Sequence, residues 1–222
     1  MRLVLVRHGQ TSSNVGHHLD TAAPGADLTP LGVRQAQALV PVLRDRGVAA
    51  VYASTLVRTQ QTAAPLAAAL GLDVRVRAGL REVSAGDLEM ACDHDSVMAY
   101  LGTVLRWGDG DLTARVPGGE DGATVLARFD AVVDEAAAAG DVVVVVSHGA
   151  VIRAWVASRC PDVDPADAAR HGLSNTGAVT LAGAPGRWRL VDWHADALGG
   201  IDDRADDGAA ADTVPSGAVA RP

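Results

Sequence analysis

The chain has 222 residues and a formal net charge of −8, and 48% of its residues are hydrophobic although only 3% are aromatic. That length and apolar share suit one α/β domain with a sizeable core. The acidic balance argues against nucleic acid as a partner, while a local cluster of cations can still hold an anion. No apolar run approaches the roughly 18 residues of a membrane span, so no membrane partner is expected. The amino terminus enters a strand with no charged-then-apolar signal before it, which makes the cytoplasm the expected compartment. All 19 basic residues are arginine, so finding Arg at an anion site carries less information here than usual. The cysteines, Cys92 and Cys160, are too few and too far apart for a zinc site or a disulfide framework.

Leu3-Val4-Leu5-Val6 is a short, β-branched apolar run that reads as a buried strand, and it stops at Arg7-His8-Gly9. Ligands of open α/β sheets bind at the carboxyl ends of strands. Arg7 offers a planar fork of donors suited to phosphate. Neutral His8 can present one ring nitrogen as a nucleophile. Gly9 lets the backbone approach a ligand closely or take a positive φ. The loop from His8 to Asp27 carries Thr11, Ser12, Ser13 and Asn14, all partners for phosphate oxygens. His17-His18 lack a third metal ligand nearby and read as solvated loop residues.

Thr29-Pro30 starts a helix that should run to Gly47 with a kink at Pro41. Val48 to Ala53 is a second strand. Ser54 or Thr55 then caps a helix ending at Leu70-Gly71, which puts Arg58 in its positive first turn. Val74 and Val76 alternate with arginines, as in a strand wetted on one side. The loop from Gly79 to Glu89 carries Glu82, Asp87 and Glu89. A helix from Ser96 to Arg106, a turn around Trp107 to Asp111 and a helix from Gly122 to Ala139 follow. Residues 90–120 read as a cap over the strand ends.

Asp141 to Gly149 repeats the opening design, with five valines leading through Ser147 to His148-Gly149 and then into a helix that ends near Cys160. Two strands that both end in His-Gly can bring two imidazoles to one sheet edge. A short helix from Pro165 to Arg170 and a hairpin made of Ala178–Leu181 and Trp188–Trp193 complete a single domain of residues 1–195. Residues 196–222 form an acidic, Gly/Ala-rich tail expected to be loosely held. The expected class is α/β: a three-layer sandwich whose mainly parallel central sheet has an antiparallel edge strand and a small helical cap. A hydrophobic edge strand could pair in a homodimer.

Leu-Val-Arg7-His8-Gly9-Gln10-Thr11 with Asn14 resembles the signature of the histidine phosphatase superfamily, also called phosphoglycerate mutase-like. Ser54-x-Leu56-x-Arg58-x-x-x-Thr62-Ala63 resembles its second motif, and Glu82-x-x-x-Gly86-x-x-Glu89 its third. Pro117-Gly118-Gly119-Glu120 and Ser147-His148-Gly149 are similar to the fourth and fifth. The resemblance implies that His8 is the nucleophile and becomes a phosphohistidine. It implies that Arg7, Arg58 and His148 clamp the phosphoryl oxygens, with Gln10, Thr11, Asn14 and Gly149 completing the binding set, and that Glu82 protonates the leaving alkoxide. On this reading two guanidiniums and an imidazolium surround a dianion without metal or other cofactor. A hydrogen bond from the second ring N–H to backbone would fix the His8 tautomer. Glu89 is expected to order its loop or cap the next helix, and Glu120 to open a helix where a carboxylate complements the dipole.

The sequence departs from the common pattern at Met90, where many members have Gly, and from Leu19 to Asp27, where many carry a Gln-Gly pair. Both departures flank the substrate pocket and leave the substrate open. The implied activity is metal-independent hydrolysis of a small phosphomonoester. A phosphoglycerate mutase is the alternative within the family, although the span from Met90 to Val116 is short for one. A non-catalytic module that binds a phosphorylated ligand is the alternative outside catalysis.

Overall fold

The computed structural model describes residues 1–202. In chain order the elements are β1 (Arg2–Arg7), α1 (Ser12–Val15), α2 (Pro30–Leu43), β2 (Ala50–Ala53), α3 (Val57–Leu70), β3 (Val74–Val76), α4 (His94–Gly108), α5 (Gly122–Ala137), β4 (Val142–Ser147), α6 (Gly149–Arg159), α7 (Pro165–Arg170), β5 (Ala178–Ala184) and β6 (Arg187–His194). They build one six-stranded sheet in the order β3-β2-β4-β1-β5-β6. The first four strands of that order run parallel, and β5 and β6 are antiparallel to their neighbours. The antiparallel part is therefore a two-stranded hairpin.

Period-two alternation sorts the central strands between two layers of helices. Leu3, Leu5, Val143 and Val145 pack with Tyr100, Phe129 and Trp155 of α4, α5 and α6. Val4, Val6, Val144 and Val146 pack with Leu39, Ala63 and Leu66 of α2 and α3. Burying one such aliphatic side chain stabilises by roughly 1.5–3 kcal/mol, so the two strands that end in histidine are anchored from both faces.

Local chemistry explains where the elements start and stop. Thr29 caps α2 by accepting from the Gly32 N–H at 3.1 Å, with Pro30 in the first turn. The helix ends at Leu43, soon after Pro41, and Gly47 then takes φ 70° in the following turn. The expected end at Gly47 therefore lies too late. At α3 neither Ser54 nor Thr55 caps; Leu56 holds the N-cap position with no side-chain bond, and its N–H donates to Ser54 Oγ at 3.1 Å. Trp107 lies inside α4 and not in a turn. Its indole packs where a side chain at Gly122 would sit, 2.7 Å away, and its N–H reaches the Ala114 carbonyl at 2.9 Å. Asp121, and not Glu120, caps α5.

The stretch after His8 read as loop contains the one-turn helix α1. Thr11 and Asn14 form its capping box, each side chain satisfying the other's backbone N–H. Within the segment from Asp196 on, the Leu198 N–H donates to the Thr176 carbonyl and Gln35 donates to the Ile201 carbonyl, each at 3.1 Å. The rest of the expected tail, from 203, lies outside the described residues. Among the described residues no helix is long and apolar enough to cross a membrane.

Candidate active site

Arg7 and Ser147 are register partners in the parallel pair β1/β4. The next residue of each strand, His8 and His148, therefore leaves the sheet at the same edge. Their rings meet edge to face with centroids 5.2 Å apart. Both residues are buried.

The ring of His8 is fixed in one tautomer. Nδ1–H donates to the carbonyl of Gly9 at 2.7 Å, which leaves the lone pair on Nε2. Arg58 Nε donates to that nitrogen at 3.1 Å. Burial, then the charges of Arg58 and Arg7, hold the His8 pKa well below its ordinary value against the opposing pull of the Gly9 hydrogen bond. His8 is thus a neutral imidazole with the lone pair of Nε2 turned toward the guanidinium of Arg58.

His148 is neutral for the same reasons. Burial first, then Arg58, His8, Arg128 and Arg7, push its pKa well below the ordinary value. Its Nε2 lies 2.8 Å from Ser54 Oγ, while Nδ1 is buried with no hydrogen-bond partner.

Arg58 leads into the site from the first turn of α3, as its position in the sequence implied. Its Nη2 donates to the Asp20 carbonyl at 2.7 Å, and Nη1 lies 3.4 Å from Asp20 Oδ2. Both side chains of that pair are nearly buried. Nη1 makes no hydrogen bond. Arg7 reaches the Leu173 carbonyl with Nη1 at 2.7 Å. The carboxylate of Glu82 receives backbone N–H groups from the start of α6, Ala150 at 3.1 Å and Val151 at 2.8 Å, as well as its own neighbour Val83 at 2.9 Å. These bonds seat the carboxyl group at the N-terminus of α6.

One cavity joins most of these groups. Arg7, His8, Asn14, Arg58, Glu82 and Gly149 line it. Asn14 Oδ1 is occupied by Thr11 N–H at 3.0 Å and Asn175 Nδ2 at 3.2 Å, so its amide NH₂ is the end left for a ligand. Gln10 and Thr11 do not line the cavity. Gln10 Oε1 accepts from Thr29 Oγ1 at 2.8 Å and its backbone N–H donates to Gln35, which fastens α2 to the loop. Thr11 caps α1. His17 and His18, read as solvated, both reach the cavity wall, His17 in the left-handed region at φ 55°. Among the described residues no group of His, Cys, Asp or Glu gathers as metal ligands would.

A Cβ on Gly9 would lie 2.7 Å from the Gly32 carbonyl oxygen, so this glycine allows α2 to approach closely. Glu89 ties its loop to the one after β1: its carboxylate accepts from the N–H groups of Thr21 and Ala22 at 2.9 Å and from the Thr21 hydroxyl at 2.5 Å. Glu120 stands at the start of α5, directly before its N-cap Asp121, and pairs with Arg128.

Four residues of the site were not singled out for it by sequence reasoning. Asp20 and Asn175 sit in loops, with no local pattern to mark them. Ser54 reads as a helix cap. Arg128 did leave a signal, since it falls three residues after Val125 and four before Val132, beside the buried stripe of α5.

Residues 3–196 match the family model of the Histidine phosphatase superfamily (branch 1). The glucosyl-3-phosphoglycerate phosphatase of Mycobacterium tuberculosis is 35% identical over 215 residues, which cover 88% of this chain and 95% of that protein. The PE-PGRS family protein PE_PGRS11 of the same species is 36% identical over 212 residues and covers 87% of this chain, which spans only 36% of that longer protein. A solved structure of mycobacterial glucosyl-3-phosphoglycerate phosphatase in complex with VO₃ superposes with a TM-score of 0.74 at 35% identity, covering 88% of this chain and 99% of that one. The order of motifs, the fold and the paired histidines agree with these matches: the chain belongs to the histidine phosphatase superfamily and is a phosphatase of its branch 1.

Proposed function

We propose that this phosphatase hydrolyses a small, polar phosphomonoester through a phosphohistidine on His8, using arginine charge in place of a metal ion. One observation carries the reading. Buried cationic and imidazole groups converge where two parallel strands end, and two of their nitrogens, Arg58 Nη1 and His148 Nδ1, are buried without a hydrogen-bond partner. Leaving a buried polar atom unsatisfied costs about 1–3 kcal/mol, a cost that a phosphoryl group with three oxygens would offset.

In the first step the His8 Nε2 lone pair forms a bond to phosphorus as the bond from phosphorus to the ester oxygen breaks. The proton on Glu82 passes to that oxygen, and the product alcohol leaves. In the second step a water oxygen bonds to phosphorus, the N–P bond breaks, and Glu82 takes the water's proton. Arg7, Arg58 and His148 hold the equatorial oxygens while charge spreads over them. The cavity wall adds His17, His18, Ser13 and Asn14, hydrogen-bonding groups fit for a hydroxylated substrate. A phosphorylated sugar or hydroxy acid matches that lining and the activity for which the mycobacterial relative is named. Cys92 and Cys160 are free, which fits a reducing cytoplasm.

The test is phosphate release from a panel of alkyl phosphomonoesters, with and without chelator, by the native enzyme and by His8→Ala. Turnover that survives chelator and vanishes in the variant supports the proposal. Unchanged turnover in His8→Ala would refute it, and turnover abolished by chelator would overturn the metal-independent step.

A further inference from the structure

The segment that delivers Glu82 is held in an unusual way. Five consecutive carbonyls, Gly79 to Val83, each accept a hydrogen bond from a side chain of another element. Arg128 Nη1 donates to the carbonyls of Gly79 and Arg81, each at 2.7 Å, and Nη2 donates to that of Glu82 at 2.9 Å. Ser147 Oγ takes Leu80 at 2.8 Å, and the Tyr100 hydroxyl takes Val83 at 3.0 Å. Arg128 gives its remaining N–H groups to Glu120, Nε to Oε1 at 2.9 Å and Nη2 to Oε2 at 3.0 Å. All five N–H donors of a guanidinium are thereby used. A side chain on Gly79 would also run into the Arg128 carbonyl at 2.3 Å, so the segment lies directly on α5.

We propose that Arg128, itself held by Glu120, is a positioning residue for Glu82. It fixes the main chain from which the carboxyl reaches the leaving oxygen, while α6 fixes the carboxyl itself. This rests on the reading of Glu82 as general acid. Three carbonyls held by one rigid fork define a position in a way that lysine's single ammonium cannot reproduce. A misplacement of about 1 Å at a reacting group can cost about 100-fold in rate.

Leaving-group dependence separates positioning from general stability. An alkyl phosphate such as glycerol phosphate needs its leaving oxygen protonated, whereas 4-nitrophenyl phosphate has a good leaving group. Arg128→Lys and Glu120→Gln are compared with Glu82→Gln on both substrates, with thermal unfolding as a check on folding. In kcat/KM, which reports the first step and leaves out the water attack common to both esters, Arg128→Lys is expected to lose about 10–100-fold on the alkyl ester and under about 3-fold on the nitrophenyl ester, within the range open to acid catalysis. Glu120→Gln should show the same bias at smaller size, and it stands as the test if Arg128→Lys fails to fold. Equal losses on both esters, or no loss, with Glu82→Gln still biased, would overturn the positioning role alone. An unbiased Glu82→Gln would overturn the acid assignment and the proposal with it.

Discussion

Arg58 Nε donates to His8 Nε2 at 3.1 Å, so the nitrogen proposed as the nucleophile is covered by the guanidinium proposed to receive the phosphoryl oxygens. On that proposal an incoming phosphate trades one contact for two, taking the guanidinium and releasing the lone pair. Both groups rely on being planar and fixed, which makes lysine a poor substitute. Arg58→Lys should lower kcat by about 10²–10³-fold, the usual cost of removing one preorganised donor. Steady-state kinetics on a reactive aryl ester measure it. A loss confined to KM would show that Arg58 only binds substrate.

Stability should fall in mild acid because of the histidine pair. His8 and His148 both have folded pKa values well below the ordinary one, chiefly through burial. Below about pH 6.5 the unfolded chain takes protons at these positions while the folded chain does not. Each histidine then removes about 1.4 kcal/mol of stability per pH unit as pH falls, until its folded pKa is reached. Urea unfolding between about pH 6.3 and 5.3 reads the slope. His148→Gln should take away about one histidine's share of it, and a slope identical to native would show that His148 titrates normally.

Met90 occupies φ 63°, a region that costs a non-glycine residue about 1–2 kcal/mol. Its backbone N–H bonds to the Leu19 carbonyl at 3.0 Å, which ties two loops at the cavity rim. Met90→Gly should leave stability unchanged or raise it by up to about 1 kcal/mol, since glycine's greater freedom in the unfolded chain offsets part of the relief. Met90→Val, branched at Cβ, should lose about 1 kcal/mol in the same position. Thermal or urea unfolding of the two variants decides the matter, and a marked loss in Met90→Gly would contradict the strain.

Gly9→Ala separates packing from ligand approach. The added Cβ would sit 2.7 Å from the backbone of Gly32, an overpacking that typically costs about 1–3 kcal/mol. The midpoint of urea unfolding should drop accordingly. Native stability with a raised KM would instead support the ligand role first assigned to this glycine.

What could be read from the chain follows the range of the forces involved. β1 and β4 stand out because each is an apolar run buried on both faces, and the residues just past their ends are fixed by strand geometry alone. The clamp on Glu82 and the contact between Asp20 and Arg58 depend on docking between elements dozens of residues apart, which no local spacing encodes. Trp107 shows the same limit. Its neighbours read as a Gly/Asp turn, yet packing against Gly122 extends the helix through it. The lowered pKa of His148 has burial as its first cause, and burial depends on the whole fold.

The most direct measurement is to trap the enzyme during turnover of a phosphomonoester, quench it without acid, and locate the added phosphoryl mass by peptide mapping. The account places it on the peptide containing His8, with none in His8→Ala. A phosphoryl group on His148 instead, or full turnover with no covalent adduct, would contradict it.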